Sequence, residues 1–243
     1  MEARQLAGRL AERTDVSVIL SLAGRTERPV DQGAPIRSGG FGGAGGLAAY
    51  MADNDVKLLI DATHPYAARI SANAAQAAKS TGVALIALRR PAWEPAPGDR
   101  WTLVDDAAGA VRELGLPSRN VLLALGRQEL PPFEAAPQHR YLVRSVDPVE
   151  PPLRLPHVRY LLARGPFDEG AEERLLRAEA IEVIVAKNSG GGATYGKIAA
   201  ARKLGVRVIL FRRPQLPDLE SGATAAEVYA MALHALALAK RGE

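Results

Sequence analysis

The sequence contains no cysteine, few aromatic residues and only four histidines among its 243 residues. The absence of cysteine excludes disulfides, thiolate metal sites and a cysteine nucleophile. The four histidines are scattered, which argues against a dedicated metal cluster, so we predict no metal site. Chemistry must therefore come from oxygen and nitrogen side chains or from a bound cofactor.

The chain also lacks a long apolar run, a basic N-terminal segment followed by an apolar one, and a dense cluster of Lys and Arg. The first two absences predict a soluble cytoplasmic protein with no membrane partner, since a bilayer span needs roughly 20 apolar residues. The net charge is +4, but only 5% of the residues are aromatic, which argues against a nucleic-acid partner. The basic excess fits a small acidic ligand better.

What the sequence does contain is an alternation of β-rich runs with alanine-rich helical stretches, which is typical of an α/β fold with mainly parallel sheets. Strands are predicted at residues 16–20, 56–61, 84–88, 120–125, 140–143, 160–163, 183–187 and 206–210. Helices are predicted at residues 47–52, 67–80, 106–114, 169–180, 194–204 and 224–240. Three prolines and a glycine in residues 91–98 interrupt both patterns. We place the domain boundary there, which gives domains 1–96 and 97–243.

Three glycine-bearing loops are candidate anion sites; the first and third follow predicted strands, and the second precedes a predicted helix. They are SLAGR at residues 21–25, SGGFGGAGG at residues 38–46 and KNSGGG at residues 187–192. Such loops can bring bare backbone amides, and in two cases a helix N-terminus, close to an anion. Each loop also has a simpler interpretation, as a surface turn, a flexible loop or a linker, and composition alone leaves both open.

The turn DATHP, at residues 61–65, follows a buried strand and precedes a helix. Open α/β proteins bind ligands at this end of a sheet. His64 is a candidate catalytic residue, and the alternative is a hydrogen-bonded turn residue. Pro65 suits the first position of a helix, which would make Thr63 or His64 the helix cap.

Seven short motifs occur in an order and spacing that are specific when taken together. They are EARQLA, SLAGR, GGFGG, DATHPYA, RPAW, ARGPF and AKNSG, at residues 2–7, 21–25, 39–43, 61–67, 90–93, 163–167 and 186–190. This set resembles the precorrin-6A reductase family of cobalamin biosynthesis over nearly the whole chain. The resemblance implies two Rossmann-like domains with a ligand cleft between them, the first binding a dinucleotide and the second contributing to a tetrapyrrole site.

The N-terminus departs from the family pattern. Family members open with an apolar strand and a Gly-Gly-Thr turn before the Glu-Ala that appears here as Glu2 and Ala3, and this chain has Met1 in that place. We therefore expect that the first strand of the N-terminal domain is missing from this chain. A strand of ~5–6 residues and its turn would put the natural start about ten residues upstream.

The resemblance also implies an activity. Hydride from the cofactor NADPH would reduce a ring double bond of a tetrapyrrole substrate, precorrin-6A, to give precorrin-6B. His64 and Tyr66 are the candidate catalytic proton donors, and solvent or the substrate's own carboxyls are the alternatives. Other corrin-pathway enzymes are candidate partners for transfer of the substrate.

Residue roles follow from the same resemblance. The predicted cofactor-binding residues are Ser21, Gly24, Arg25, Gly39, Gly40, Phe41, Thr63, His64 and Pro65, with Arg25 at the adenosine 2′-phosphate. The predicted substrate-binding residues are Arg144, Arg164, Lys187, Asn188 and Ser189, each of which could instead serve a surface salt bridge.

Three other functions remain as alternatives. The first is a cobalt-precorrin-6A reductase that uses NADH, and the second is a non-catalytic protein that binds a tetrapyrrole or a nucleotide. The third, a short-chain dehydrogenase, is weaker because Tyr195 is followed by Lys197 rather than by a lysine at position 199.

Overall fold

The computed structural model describes residues 2–24 and 33–241. The chain forms two compact units. Unit 1 contains the described residues of Met1–Pro91 together with those of Pro214–Glu243, and unit 2 is Ala92–Arg213. The strands are β1 (Leu20–Leu22), β2 (Ile36–Ser38), β3 (Leu58–Asp61), β4 (Ala84–Leu88), β5 (Trp101–Val104), β6 (Asn120–Ala124), β7 (Arg140–Ser145), β8 (Val158–Leu162), β9 (Val183–Lys187), β10 (Arg207–Phe211) and β11 (Ser221–Gly222). The helices are α1 (Glu2–Ala11), α2 (Ala44–Asp53), α3 (Ala68–Thr81), α4 (Ala107–Leu114), α5 (Glu169–Ala178), α6 (Gly196–Leu204) and α7 (Ala225–Arg241), with 3-10 helices at Arg127–Glu129 and Pro131–Ala135.

Unit 1 contains two parallel sheets, with strand orders β1-β2 and β11-β4-β3. Helix α7 packs against α1 and β4, and one core cluster joins Leu6 and Leu10 to Ile86, Val228 and Ala232. The predicted second domain, residues 97–243, therefore differs from unit 2, because residues 214–243 belong to unit 1. The last strand and helix belong with the N-terminal segment, because β11 pairs with β4 and α7 completes that core.

A second core cluster in unit 1 forms between α2 and α3. It contains Leu47 and Met51 from α2 and Ala74 and Ala77 from α3, with Phe41 packed at its edge. The buried positions of α3 carry only serine and alanine, so the two helices can approach closely. This contact fixes the start of α2, where the loop at residues 38–46 ends.

Unit 2 is built on one parallel sheet of six strands, in the order β5-β10-β9-β6-β7-β8. The central strands are apolar because both of their faces are buried. The chain runs outward from β6 through β7 to β8, and then resumes on the other side of β6 with β9 and β10. The direction of winding therefore switches between β6 and β9, and ligands of open α/β sheets bind outside the carboxyl ends of strands at such a point.

The α/β class with mainly parallel sheets is confirmed. Strand β1 begins at Leu20, later than the predicted strand at residues 16–20, and β2, β5 and β11 were not predicted. Within residues 2–24 and 33–241, no helix has the length and apolar character needed to cross a membrane.

Candidate functional site

The glycine site of unit 1 comprises the ends of β1 and β2 and the loop that leads into α2. The amide of Gly39 donates to the carbonyl of Leu22 (2.9 Å), which ties the two strand ends together. A side chain on Gly24 would lie 3.5 Å from the nitrogen of Gly39, so these two backbones are close neighbours. Ser21, Gly24, Gly39, Gly40 and Phe41 therefore lie close together. Arg25 lies outside the described residues.

Arg37 organises this site and was not among the predicted residues. Its guanidinium donates to the carbonyl oxygens of Gly39 (2.7 Å) and Gly40 (3.0 Å) and to Ser21 Oγ (3.4 Å). It also lies 3.8 Å from the centroid of the Phe41 ring. One arginine therefore contacts four of the predicted cofactor-binding residues, which places a positive charge among them. An arginine directly before Ser38 and the two glycines was the available signal in the sequence.

The loop continues directly into α2. Gly43, which precedes the helix, has no side chain and offers no capping group, so it leaves the first amides of α2 open to another acceptor. A side chain on Gly46 would come within 1.7 Å of the carbonyl oxygen of Phe41. The loop can therefore fold back on the first turn of α2 only because residue 46 is glycine.

The DATHP turn begins with a buried carboxylate. Asp61 is 3% exposed, accepts from the amide of Thr63 (3.1 Å) and pairs with Arg89 just beyond β4 (2.5 Å). Ser71 of α3 adds a contact between its hydroxyl and that of Thr63 (3.2 Å). Burial alone would raise the pKa of Asp61, but hydrogen bonds from Arg89, Ser71 and Thr63 and the charge of Arg89 hold that pKa below its ordinary value. This network fixes Thr63 at the carboxyl end of β3.

His64 and Tyr66 lie next in the same turn. His64 is exposed, its Nδ1 accepts from the amide of Tyr66 (3.3 Å), and the two rings are 5.6 Å apart. With Nδ1 accepting, the proton of a neutral imidazole is on Nε2. Contrary to the prediction, Pro65 is not the first residue of the helix: α3 begins at Ala68, because the amide of Ala67 closes a turn on the carbonyl of His64 (2.7 Å). Pro65 is buried in that turn, and neither Thr63 nor His64 caps the helix.

Unit 2 places Lys187, Asn188 and Ser189 at its switch point, at the end of β9. Lys187 Nζ lies 2.6 Å from Glu129 Oε1, so an ion pair joins the segments that follow β9 and β6. Asn188 is buried, and its side chain binds both the amide (2.8 Å) and the carbonyl (2.9 Å) of Trp93. The Trp93 indole in turn donates to the carbonyl of Gly191 (2.9 Å).

The two remaining predicted substrate residues lie elsewhere in unit 2. Arg144 is buried, with its guanidinium 2.5 Å from Glu172 and 4.1 Å from the centroid of the Phe167 ring. Its charge is therefore paired with Glu172 inside the unit. Arg164 is exposed in the loop after β8. In the described residues, no group of three or more His, Asp or Glu side chains could hold a metal ion.

Comparison with known proteins identifies the family. The family model described as "Precorrin-6x reductase CbiJ/CobK" matches residues 1–233 of the chain. The chain belongs to this reductase family. The reductase is 58% identical over 236 residues to the "Precorrin-6A reductase" of Sinorhizobium sp., a match that covers 97% of this chain and 90% of the relative. It is 50% identical over 223 residues to the "Precorrin-6A reductase" of Rhodobacter capsulatus, covering 92% and 88%.

A solved structure named "CobK precorrin-6A reductase" superposes on this reductase with a TM-score of 0.92. The two are 48% identical, and the match covers 97% of this chain and 93% of the other. The family resemblance stated from the motifs is confirmed, and the enzyme is an oxidoreductase.

The family implies a nicotinamide cofactor, and the glycine site of the reductase fits the phosphate part of one. Gly39, Gly42 and Gly43 have φ between 79° and 109°, a conformation that turns backbone amides away from the usual strand direction. The amides at the start of α2 and the guanidinium of Arg37 add donors and positive charge. An anion is the ligand that this donor set suits.

Proposed function

We propose that this reductase transfers a hydride from NADPH to a ring carbon–carbon double bond of precorrin-6A and so forms precorrin-6B in cobalamin biosynthesis. The observation that carries the proposal is similarity along nearly the full chain to proteins named precorrin-6A reductase. The net charge of +4 supports it, because a macrocycle with many acetate and propionate groups needs several cationic side chains and amides around it.

The proposed cofactor contacts lie in unit 1. Ser21, Gly24, Gly39, Gly40 and Phe41 hold the adenosine and phosphate portion, and Arg25 reads the 2′-phosphate that distinguishes NADPH from NADH. Thr63, His64 and Pro65 lie beside the nicotinamide half. When bound, NADPH supplies the hydride. The chain's part is to orient the two reactants and to exclude water from between them.

The proposed substrate contacts lie at the carboxyl ends of the strands of unit 2. Lys187, Asn188, Ser189 and Arg164 lie there, and we add Arg127, which is exposed directly after β6 on the other side of the switch point. We propose that Arg127, Arg164 and the loop that begins at Ser189 contact a substrate carboxylate, while the Asn188 side chain binds Trp93. We assign Arg144 a supporting role because of its buried pairing with Glu172.

Reduction also requires a proton on the carbon next to the one that receives the hydride. We propose His64 as the donor, in its imidazolium form: Nε2 gives up the proton and the ring becomes neutral, so the Tyr66 amide does not donate to Nδ1 in the donating form. Replacing His64 by Gln tests this donor, and replacing Tyr66 by Phe, which keeps the backbone amide, tests the Tyr66 hydroxyl as the other candidate donor. An unchanged rate in both variants would assign the proton to water or to a substrate carboxyl.

Anaerobic mixing of the purified protein with precorrin-6A and either cofactor tests the proposal directly. We expect loss of NADPH absorbance that depends on precorrin-6A and matches the change in the tetrapyrrole spectrum, with NADH much slower. Turnover only with cobalt-precorrin-6A and NADH would establish the first alternative. Binding of precorrin-6A and NADPH without turnover would establish the non-catalytic one.

A further inference from the structure

Lys197 is a buried lysine in unit 2 with no role so far. It is the second residue of α6 and is only 5% exposed. Its Nζ donates to the carbonyl of Thr194 (2.6 Å) and lies 4.9 Å from the centroid of the Trp93 ring. A lysine in such a place requires an explanation, because burying an ammonium group is costly and an apolar side chain would fill the same space.

The charges around Lys197 give it little compensation. Arg144 faces it from β7 and Glu172 from α5, and Glu172 already binds Arg144 through Oε1. Among the described residues, Glu172 Oε2 has no hydrogen-bond partner, so the carboxylate does not contact Lys197 directly. Lys197 lies at the N-terminus of its own helix, where the helix dipole disfavours a cation. Burial first, and then Arg144, lower the pKa of Lys197 to about 7, with Glu172 acting in the opposite direction.

Lys197 belongs to a set of contacts that hold the β9 loop, residues 188–194. Asn188 binds the backbone of Trp93 at the start of this loop, and the Trp93 indole binds the carbonyl of Gly191 in its middle. Lys197 binds the carbonyl of Thr194 at its end and lies over the same indole. Trp93 therefore connects all three anchors, and the last anchor is made by a group that exchanges a proton near neutral pH.

We propose that Lys197 is a positioning residue that holds the β9 loop in the shape that receives a substrate carboxylate, and that the loop loosens when Lys197 loses its proton. The inference rests on the proposed function, which takes this loop as part of the substrate site. The ammonium form binds the Thr194 carbonyl and the Trp93 ring more strongly than the neutral amine does.

The first test needs no substrate, so it stands even if the proposed function fails. The chain has two tryptophans, and Trp101→Phe leaves Trp93 as the sole indole. We expect the Trp93 emission of this variant to change with a midpoint near pH 7, and the change to be absent from Trp101→Phe/Lys197→Met. A transition with the same midpoint in the double variant would overturn the proposal, because the titrating group would be another one. The proposal would also be overturned if the Trp93 emission of the single variant Trp101→Phe did not change with pH.

The second test is kinetic. Lys197→Met should raise the KM for precorrin-6A about tenfold, the equivalent of one lost charge-assisted hydrogen bond, and leave the KM for NADPH and kcat nearly unchanged. The pH dependence of the KM for precorrin-6A near pH 7 should disappear with it. Lys203→Met is the matched control, because Lys203 lies on the same helix and pairs with Glu173 at the surface. It should leave the kinetic constants and the Trp93 emission unchanged.

Stability separates positioning from a merely structural role. Because the pKa of Lys197 is lowered in the folded protein, the lysine costs stability below its ordinary pKa of about 10.4. Lys197→Met should therefore melt higher at pH 7 and lose that advantage as the pH rises towards 10. Suppose instead that Lys197→Met melts lower at pH 7, has a lower kcat and has higher KM values for both precorrin-6A and NADPH. That result would show that Lys197 only supports the fold.

Discussion

At the residue scale, Arg37 connects the glycine site through main-chain carbonyls rather than through a carboxylate. A lysine cannot replace it, since one ammonium cannot reach both carbonyls and also cover the Phe41 ring. In each of the variants Arg37→Lys and Arg37→Met, the dissociation constant should rise by the same factor for NADPH as for NADH. We expect about a tenfold rise, which corresponds to a loss of about 1.4 kcal/mol in binding free energy. Isothermal titration calorimetry with both cofactors measures this.

Arg25 provides the contrasting variant. Arg25→Ala should weaken NADPH much more than NADH, because it removes a charge-assisted contact worth about 1.5–3 kcal/mol that only the 2′-phosphate can make. The same titrations decide the matter. If Arg25→Ala lowers the affinity for both cofactors equally, Arg25 does not contact the 2′-phosphate. If the Arg37 variants lower the affinity for NADPH alone, Arg37 is the residue that contacts it.

Asp61 is the residue on which the DATHP turn depends. Asp61→Asn leaves the guanidinium of Arg89 without its carboxylate at a mostly buried position, which should lower the free energy of unfolding at neutral pH by about 2–4 kcal/mol. The pKa of Asp61 is lowered in the folded protein. Its stabilisation is therefore complete above the unfolded pKa of about 3.9 and is lost as the pH falls through the lower folded value. Denaturant unfolding should show that the difference in unfolding free energy between the unmodified protein and Asp61→Asn becomes smaller in acid. A difference that stays constant with pH would exclude ionisation of Asp61 as its cause.

At the scale of elements, the first turn of α2 offers two neighbouring glycines with opposite expectations. Gly46→Ala places a Cβ 1.7 Å from the carbonyl oxygen of Phe41, so the loop must move away from α2. We expect a loss of about 1–3 kcal/mol in stability and a marked loss of NADPH binding. Gly45→Ala meets no heavy atom within 4 Å and should gain about 0.5–1 kcal/mol from helix propensity, with binding unchanged. Melting curves and cofactor titrations should show that only Gly46→Ala is destabilised and binds NADPH weakly. Similar results for the two variants would contradict the close contact between residue 46 and the Phe41 carbonyl.

The elements also show what the sequence can reveal. Strands β4 and β9 match their predicted bounds, because strands in the interior of a parallel sheet are continuous apolar runs. Strand β2 has one apolar residue and β11 has two residues in all, so neither has a pattern to detect.

The same limit applies to the sites. Loops rich in glycine and the DATHP turn are visible in the sequence, whereas the pairing of Asp61 with Arg89, 28 positions away, depends on parallel strands meeting. The roles of Trp93 and Lys197 likewise depend on tertiary contacts, since Asn188 lies 95 positions from Trp93. Arg37 differs, because most of its contacts are two to four residues away.

At the scale of the whole molecule, unit 2 is continuous in sequence and unit 1 is not. A fragment of residues 92–213 contains all six strands of its sheet, and we expect it to unfold cooperatively when expressed alone. A fragment of residues 1–91 lacks β11 and α7, including Val228 and Ala232 of its core, and should show no cooperative transition by circular dichroism. Supplying residues 214–243 in trans should restore one. A cooperative transition of residues 1–91 alone would show that α7 is dispensable to unit 1.

The return of the chain to unit 1 sets an order of events during synthesis. The ribosome makes residues 2–91 before unit 2, but the helix that covers Leu6, Leu10 and Ile86 is translated after unit 2. Those side chains remain exposed on the nascent chain while residues 92–213 emerge and complete their own sheet. We therefore expect unit 2 to fold before unit 1, and the N-terminal segment to be the part of the nascent chain that a holding chaperone would protect.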